Sequence, residues 1–252
     1  MIHYTRNLKS ISSEMLQGFF AGWPSPPSPT THLKLFRQSD KIILSIEDNN
    51  SRVVGFITAI SDRILTAHDL VVNYFRIDVI LAAHKSRSLT LQRWVPESEF
   101  WSFPDTVEYK TANGKSKKRK VIPDGFFTVR QPHVSQPGMM EELAFLLEID
   151  MGTEDNPRFA REKVRPGVAY LKSEDYQARF GVNYGRWLVV TTGKTRLANM
   201  KDQTEHSGGS QLFHFTTMTQ VSPETVLTGP IWYVAGSDET SSVVPQLRWT
   251  AP

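Results

Sequence analysis

Ala144-Phe-Leu-Leu-Glu-Ile-Asp-Met151 is the stretch whose reading decides the fold. A strand turns successive side chains to opposite faces. Ala144, Leu146, Glu148 and Asp150 therefore share one face, and Phe145, Leu147, Ile149 and Met151 the other. Upstream, residues 120–129 end an apolar approach, and an Asn113-Gly114 turn joins them to a strand at 106–110 as a hairpin. Downstream, 157–171 read mostly as helix, 187–192 as a short apolar strand, and 212–218 and 226–234 as later strands. This order predicts an α/β (α+β) fold: a mixed central sheet with flanking helices and a helical crossover.

Further towards the N-terminus, residues 70–83 read as helix, and 91–103 are aromatic with two carboxylates, Glu97 and Glu99. Residues 42–46 and 53–60 are β-branched runs separated by Asp48-Asn49-Asn50-Ser51, which predicts a strand–turn–strand hairpin. Before it lie a Pro-punctuated loop (Pro24, Pro26, Pro27, Pro29) and a short helix at 32–38. The domain reading is 1–63 for this segment, 64–236 for the core and 237–252 for a C-terminal tail.

Composition narrows the chemistry. None of the 252 residues is cysteine, which excludes a disulfide framework, a cysteine nucleophile and thiolate zinc sites. No apolar run approaches the ~20 residues of a membrane span, and the first residues lack a signal-peptide core. A soluble cytoplasmic protein is expected. The net charge is only +3, from 29 Lys and Arg against 26 Asp and Glu. Its distribution says more: Lys115, Lys117, Lys118, Arg119 and Lys120 make one concentrated positive tip, fit for an anionic partner such as DNA or for plain solvation.

The tip leads into Asp124, which ends its own apolar approach and can lie beside Glu148 and Asp150 in the sheet. Three converging carboxylates are costly unless a cation neutralises them or a proton is shared. Oxygen ligands suit Mg²⁺ or Mn²⁺ and not zinc. The alternative is that Glu148 and Asp150 bond turn amides and Arg158 or Arg161. His68 with Asp69 reads as a structural pair, and Trp94, Trp101, Trp187 and Trp232 as core aromatics.

Two resemblances bear on these readings. Met15-Leu-Gln-Gly-Phe-Phe20, Gly22-Trp-Pro24, His32-Leu-Lys-Leu35 and Val53-Val-Gly-Phe-Ile-Thr-Ala-Ile-Ser-Asp62 resemble the N-terminal part of GNAT acetyltransferases. That family grips acetyl-CoA at a Gly-rich Q/R-x-x-G-x-G/A turn opening a helix. Neither Gly181-Val-Asn-Tyr-Gly185 nor Arg165-Pro-Gly167 has that spacing.

From about residue 64 to 234 the chain resembles the replication-relaxation family of plasmid and mobile-element proteins. The match lies in Ala67-His68-Asp69-Leu70, Trp94-Val-Pro-Glu97, Ile122-Pro-Asp124-Gly125, Leu147-Glu148-Ile-Asp150-Met-Gly-Thr153-Glu154, Arg161-Glu-Lys163, Ala169-Tyr170-Leu171, Trp187-Leu-Val-Val-Thr-Thr192, Arg196-Leu197, Phe215-Thr-Thr217 and Pro230-Ile-Trp232. The layout also looks like the PD-(D/E)xK nuclease core, in which an Asp and a Glu hold Mg²⁺ and a Lys helps activate water. Asp124 and Glu148 match the two acids. Asp150 stands where the Lys belongs, and Lys163 on the following helix can place an amine in the same pocket, although Pro166 interrupts that helix. The resemblance thus implies a DNA-associated protein of replication or relaxation in which Asp124, Glu148 and Asp150 hold Mg²⁺ and act in catalysis together with Lys163. An acetyltransferase and a catalytically silent DNA-binding scaffold are the opposing classes.

Overall fold

The computed structural model describes residues 2–5, 7–17, 28–38, 41–47, 52–59, 67–133, 135–136, 138–152 and 156–245. The readings on Gly22-Trp-Pro24, the Asp48–Ser51 turn and Thr153-Glu154 lie outside these residues. Contacts divide the chain into two compact units, Met1–Ala67 and His68–Pro252.

The first unit is an antiparallel sheet of β1 (Ile2–Thr5), β2 (Lys41–Glu47) and β3 (Arg52–Ala59), in that order, with helix α1 (Pro29–Gln38). The β2–β3 hairpin lies where the β-branched runs predict it. Strand β1 pairs with β2 from Ile2 to Thr5, four residues too short to signal a strand by pattern. Leu16, Leu33, Phe36, Leu44, Ile46 and Val53 bury a small core of their own.

The second unit is built on α2 (Ala67–Lys85), β4 (Thr90–Pro96), α3 (Glu97–Ser102), β5 (Asp105–Lys110), β6 (Ser116–Val121), β7 (Gly125–Pro132) and β8 (Met140–Ile149). There follow α4 (Asn156–Phe159), α5 (Arg165–Leu171), α6 (Glu174–Phe180), β9 (Arg186–Thr191), α7 (Lys194–His206), β10 (Phe213–Thr217), β11 (Trp232–Val234) and β12 (Thr240–Ser241). Seven strands form one mixed sheet in the order β12-β11-β10-β9-β8-β7-β4. Strands β4, β7 and β8 run antiparallel to their neighbours in turn, and β8, β9 and β10 are parallel. Parallel neighbours need crossovers, which α4–α6 and α7 supply.

The alternation in β8 sorts the core into two layers. Ala144 and Leu146 pack with Phe126, Val164, Tyr170, Trp187 and Phe213 on one face. Phe145, Leu147 and Ile149 pack with Phe75, Val79, Leu188 and Trp232 on the other. Helix α5 approaches the sheet closely because residue 167 is glycine: a Cβ there would stand 2.9 Å from the Trp187 indole nitrogen. That indole donates to the Gly167 carbonyl at 3.3 Å.

Four local expectations change. Pro166 does not break the helix, because the turn before it, Ala160–Val164, is π-helical and the Arg165 amide bonds the Ala160 carbonyl. The wider turn accommodates a ring that would clash in a regular α-helix, and α5 continues to Leu171. Only Trp232–Val234 of the expected 226–234 strand is extended. Gly229 and Pro230 interrupt it, and Val226 and Leu227 are buried in turns. Residues 237–245, the described part of the expected tail, join the core: Thr240–Ser241 pairs with β11, and Val243 and Val244 are buried. An unpaired β11 edge beside an apolar doublet explains the capture. Trp101, expected in the core, is 64% exposed.

Among the described residues no helix is long and apolar enough to cross a membrane.

His214 on β10 supplies a pH prediction. It is 4% exposed, and burial, helped by the charge of Arg186, pushes its pKa down to about 4. Unfolded, the imidazole titrates near 6.5, so the unfolded chain binds more protons between about 6.5 and 4. Stability is full above pH 6.5 and falls towards pH 4, by roughly 2–3 kcal/mol from this residue. Urea midpoints of His214→Gln should lose that part of the acid slope; an unaltered slope would show that the histidine is not buried neutral.

Candidate metal and nucleic-acid site

The sheet brings several strand ends to one place. In register, Pro96 at the end of β4 faces Gly125 at the start of β7, and Gly125 faces Leu147 near the end of β8. Glu97 and Asp124, next to these ends, Glu148 in the last residues of β8 and Asp150 just past it therefore collect at one edge, at the carboxyl ends of the parallel strands where α/β sheets commonly bind ligands.

Asp124 is held by its backbone and its side chain together. Its amide donates to the Leu147 carbonyl at 2.9 Å, and its Oδ2 accepts from the Ile149 amide at 2.5 Å. Pro123 has no amide to continue the preceding strand, so the chain turns here and the carboxylate clasps the end of β8. The same Oδ2 meets His68 Nε2 at 3.1 Å, from the first turn of α2. The hydrogen bond to Asp124 raises the His68 pKa to about 9; burial opposes the rise, and the charges of Asp124, Glu97 and Glu148 add to it. At neutral pH His68 is an imidazolium facing carboxylates.

Glu97, the first residue of α3, completes the group: one ligand atom from each of His68, Glu97 and Asp124 lies within 4.8 Å of the others. Trp101 orients Glu97 by donating its indole N–H to Oε1 at 2.9 Å. Glu148 lies on the neighbouring strand with its carboxylate on Lys163, whose Nζ is 2.8 Å from Oε1 and 3.0 Å from Oε2. Lys163 reaches it from the π-helical turn, so the irregularity at Pro166 sets the aim of this amine.

Asp150 is oriented differently. Thr191 and Arg196 Nε both donate to its Oδ2 at 2.5 Å, Arg196 Nη2 donates to Oδ1 at 2.7 Å, and the Gly152 amide donates to Oδ1 at 3.3 Å. Burial works to raise its pKa, but the bonds from Arg196 and Thr191 outweigh it and hold the carboxyl below the usual value. The turn-amide role weighed for Asp150 is present here; the arginine is Arg196, not Arg158 or Arg161. Arg158 donates to Glu162 at 3.2 Å.

The basic stretch is not a loop tip. Residues 116–121 are strand β6, paired with β5 so that Val107 faces Arg119 and Tyr109 faces Lys117. Period two splits the charges between two faces. Arg119 turns towards Glu162, 2.9 Å away, while Lys118 and Lys120 are exposed, as is Lys115 in the turn. Arg119 and Lys120 line a cleft of about 260 Å³ together with Glu97, Trp101, Asp124 and Lys163.

Sequence reasoning missed His68, Glu97 and Arg196 as members of this site. All three lay inside motifs of the resemblance, His68-Asp69, Pro-Glu97 and Arg196-Leu197, but nothing local ties the first two to Asp124 or Arg196 to Asp150.

No curated protein matches this chain. Among solved structures, a protein described as an acetyltransferase from Deinococcus radiodurans R1 shares 34% identity over 25% of this chain and 44% of its own, with a TM-score of 0.23. This chain thus spans less than half of that protein. The family model described as replication-relaxation matches residues 34–184, which include His68, Glu97, Asp124, Glu148, Asp150 and Lys163. That span exceeds half of the chain, and the protein belongs to the replication-relaxation family.

Proposed function

We propose that this protein associates with DNA in the replication or relaxation of a plasmid or other mobile element, and that the edge carrying Asp124 is a nuclease-like Mg²⁺ centre. Family membership supports a role related to replication and relaxation. The observation that carries the finer reading is the meeting of His68, Glu97 and Asp124 within 4.8 Å, with Glu97 and Asp124 lining a cleft that Arg119, Lys120, Arg158 and Lys163 also line.

The donor set fits a divalent ion. Glu97, Asp124 and Glu148 offer carboxylate oxygens, which suit Mg²⁺ and Mn²⁺. The charge of Asp124 is met by His68, and that of Glu148 by Lys163. A bound ion would supply charge to a phosphoryl oxygen and lower the pKa of a coordinated water. The chain does the rest. Asp124 and Glu97 would hold the ion from the ends of neighbouring strands, and Glu148 keeps the Lys163 amine at the site. Asp150, Thr191 and Arg196 brace the ends of β8 and β9. Arg119, Lys120 and Arg158 offer cations to phosphates at the cleft.

The pairs His68–Asp124 and Lys163–Glu148 also favour a second reading, a DNA-binding scaffold in which the carboxylates are structural. A plasmid-nicking assay with Mg²⁺ or EDTA separates the two, since only the first gives Mg²⁺-dependent nicks. DNA association is tested by filter binding across a salt series. Changing Lys115, Lys117, Lys118 and Lys120 together to Gln should lower the slope of log affinity against log salt by up to about 3–4. An unchanged slope and affinity would remove DNA from the reading.

A further inference from the structure

Trp101 is a large aromatic left in water at the wall of a cleft lined by both carboxylates and cations. It is 64% exposed, and Phe103, two residues on, is 71% exposed. Most aromatics of this unit are buried in the two core layers, so these two are a local departure. The Trp101 ring does not rotate freely: its indole N–H is committed to Glu97 Oε1 at 2.9 Å, which holds the ring edge and leaves much of its surface to solvent. Beside it in the cleft lie Arg119, Lys120 and Lys163.

A fixed, solvent-facing indole beside cations matches the chemistry of an unpaired nucleotide, whose base has a π-face and whose phosphate has a charge. An intact duplex keeps its base faces stacked inside and offers nothing for the ring to cover. A protein partner would find the Trp101 ring beside the exposed Lys120 and the ion-paired groups of the cleft, and charged residues are depleted at the core of protein interfaces. We infer that Trp101 is a stacking platform for an unpaired base, and that the cleft takes single-stranded DNA or the unpaired part of a junction. Phe103 extends the aromatic surface. This rests on the DNA reading above and names its substrate class: the strand is presented to the carboxylates with its bases exposed.

The test uses the full chain in EDTA, so that binding is read without cleavage. Fluorescence anisotropy compares a labelled oligothymidylate of about 20 nucleotides, an abasic strand with the same number of phosphates, and a duplex. The wild type should bind oligothymidylate more tightly than the abasic strand, with quenching of tryptophan fluorescence. Trp101→Ala should weaken oligothymidylate binding about ten- to a hundredfold and leave abasic-strand and duplex binding within about twofold. Trp101→Phe keeps a π-face but loses the bond to Glu97. It should retain most of the oligothymidylate affinity, which separates stacking from a mere effect on Glu97. If Trp101→Ala binds oligothymidylate like the wild type, or the abasic strand binds as well as oligothymidylate, the stacking platform is overturned while DNA association stands. If the wild type binds none of the three probes, the DNA reading itself falls, and this inference with it.

Discussion

Asp124→Asn is expected to cut Mg²⁺-dependent nicking of supercoiled plasmid at least about a hundredfold while leaving DNA affinity within about twofold. The amide keeps an oxygen for the Ile149 N–H, so the end of β8 stays clasped and the fold is preserved. It removes the negative charge on which a cation at this edge depends, and with it the main cause of the raised His68 pKa. Lys163→Met should also abolish nicking by a separate route, because it takes the amine from Glu148 without touching Asp124. Nicking by Asp124→Asn at the wild-type rate would place the chemistry elsewhere. Wild-type protein that binds DNA but yields no nicks with Mg²⁺ would establish the silent scaffold.

The largest stability effect is expected at Arg179. Its guanidinium grips Asp105 at both oxygens, at 2.6 and 2.9 Å, and donates to the Phe103 carbonyl. Tyr170 adds its hydroxyl to Asp105 at 2.5 Å, and burial followed by this bond pushes the phenol far above its usual pKa, so it remains a donor. The two charged side chains are only 14% and 17% exposed. Removing one partner of such a pair strands the other, which costs about 3–5 kcal/mol. Arg179→Met should therefore lower the urea midpoint by an amount equivalent to about 3 kcal/mol, with Asp105→Asn costing less. The double variant Asp105→Asn with Arg179→Met should lose less than the sum of the two, because no charge is then left unpaired. Additive losses in this double-mutant cycle would show that the network is not coupled. Asp105 opens the hairpin that carries Lys117, Lys118, Arg119 and Lys120, so the network also holds the cationic wall in place.

The fold was legible where its cause is local. Alternation along β8 is a property of neighbouring residues, and it determines by itself which side chains enter each core layer. The Asn113-Gly114 turn likewise signals the β5–β6 hairpin, and Gly114 has the positive φ of +74° that such a turn requires. The lysine run misled because composition reports charge and not pairing. Only its register with β5 shows that Arg119 turns inward to Glu162 while Lys118 and Lys120 stay in water.

The site divides in the same way. Asp124, Glu148 and Asp150 could be named from the chain, because carboxylates ending apolar runs stand out against their neighbours, and Lys163 from the resemblance to a nuclease core. Their partners could not. His68 lies 56 residues from Asp124, and Arg196 lies 46 from Asp150. A residue's electrostatic partner depends on which strand ends the sheet order brings side by side, and that order is set by packing of the whole unit. The sequence by itself determined the central strand, its two faces and the presence of acids at its end. Only the tertiary structure decided that Asp124 would face His68 and Glu97, that Asp150 would be held by Arg196, and that Trp101 would stand in water, because each depends on contacts between segments remote along the chain.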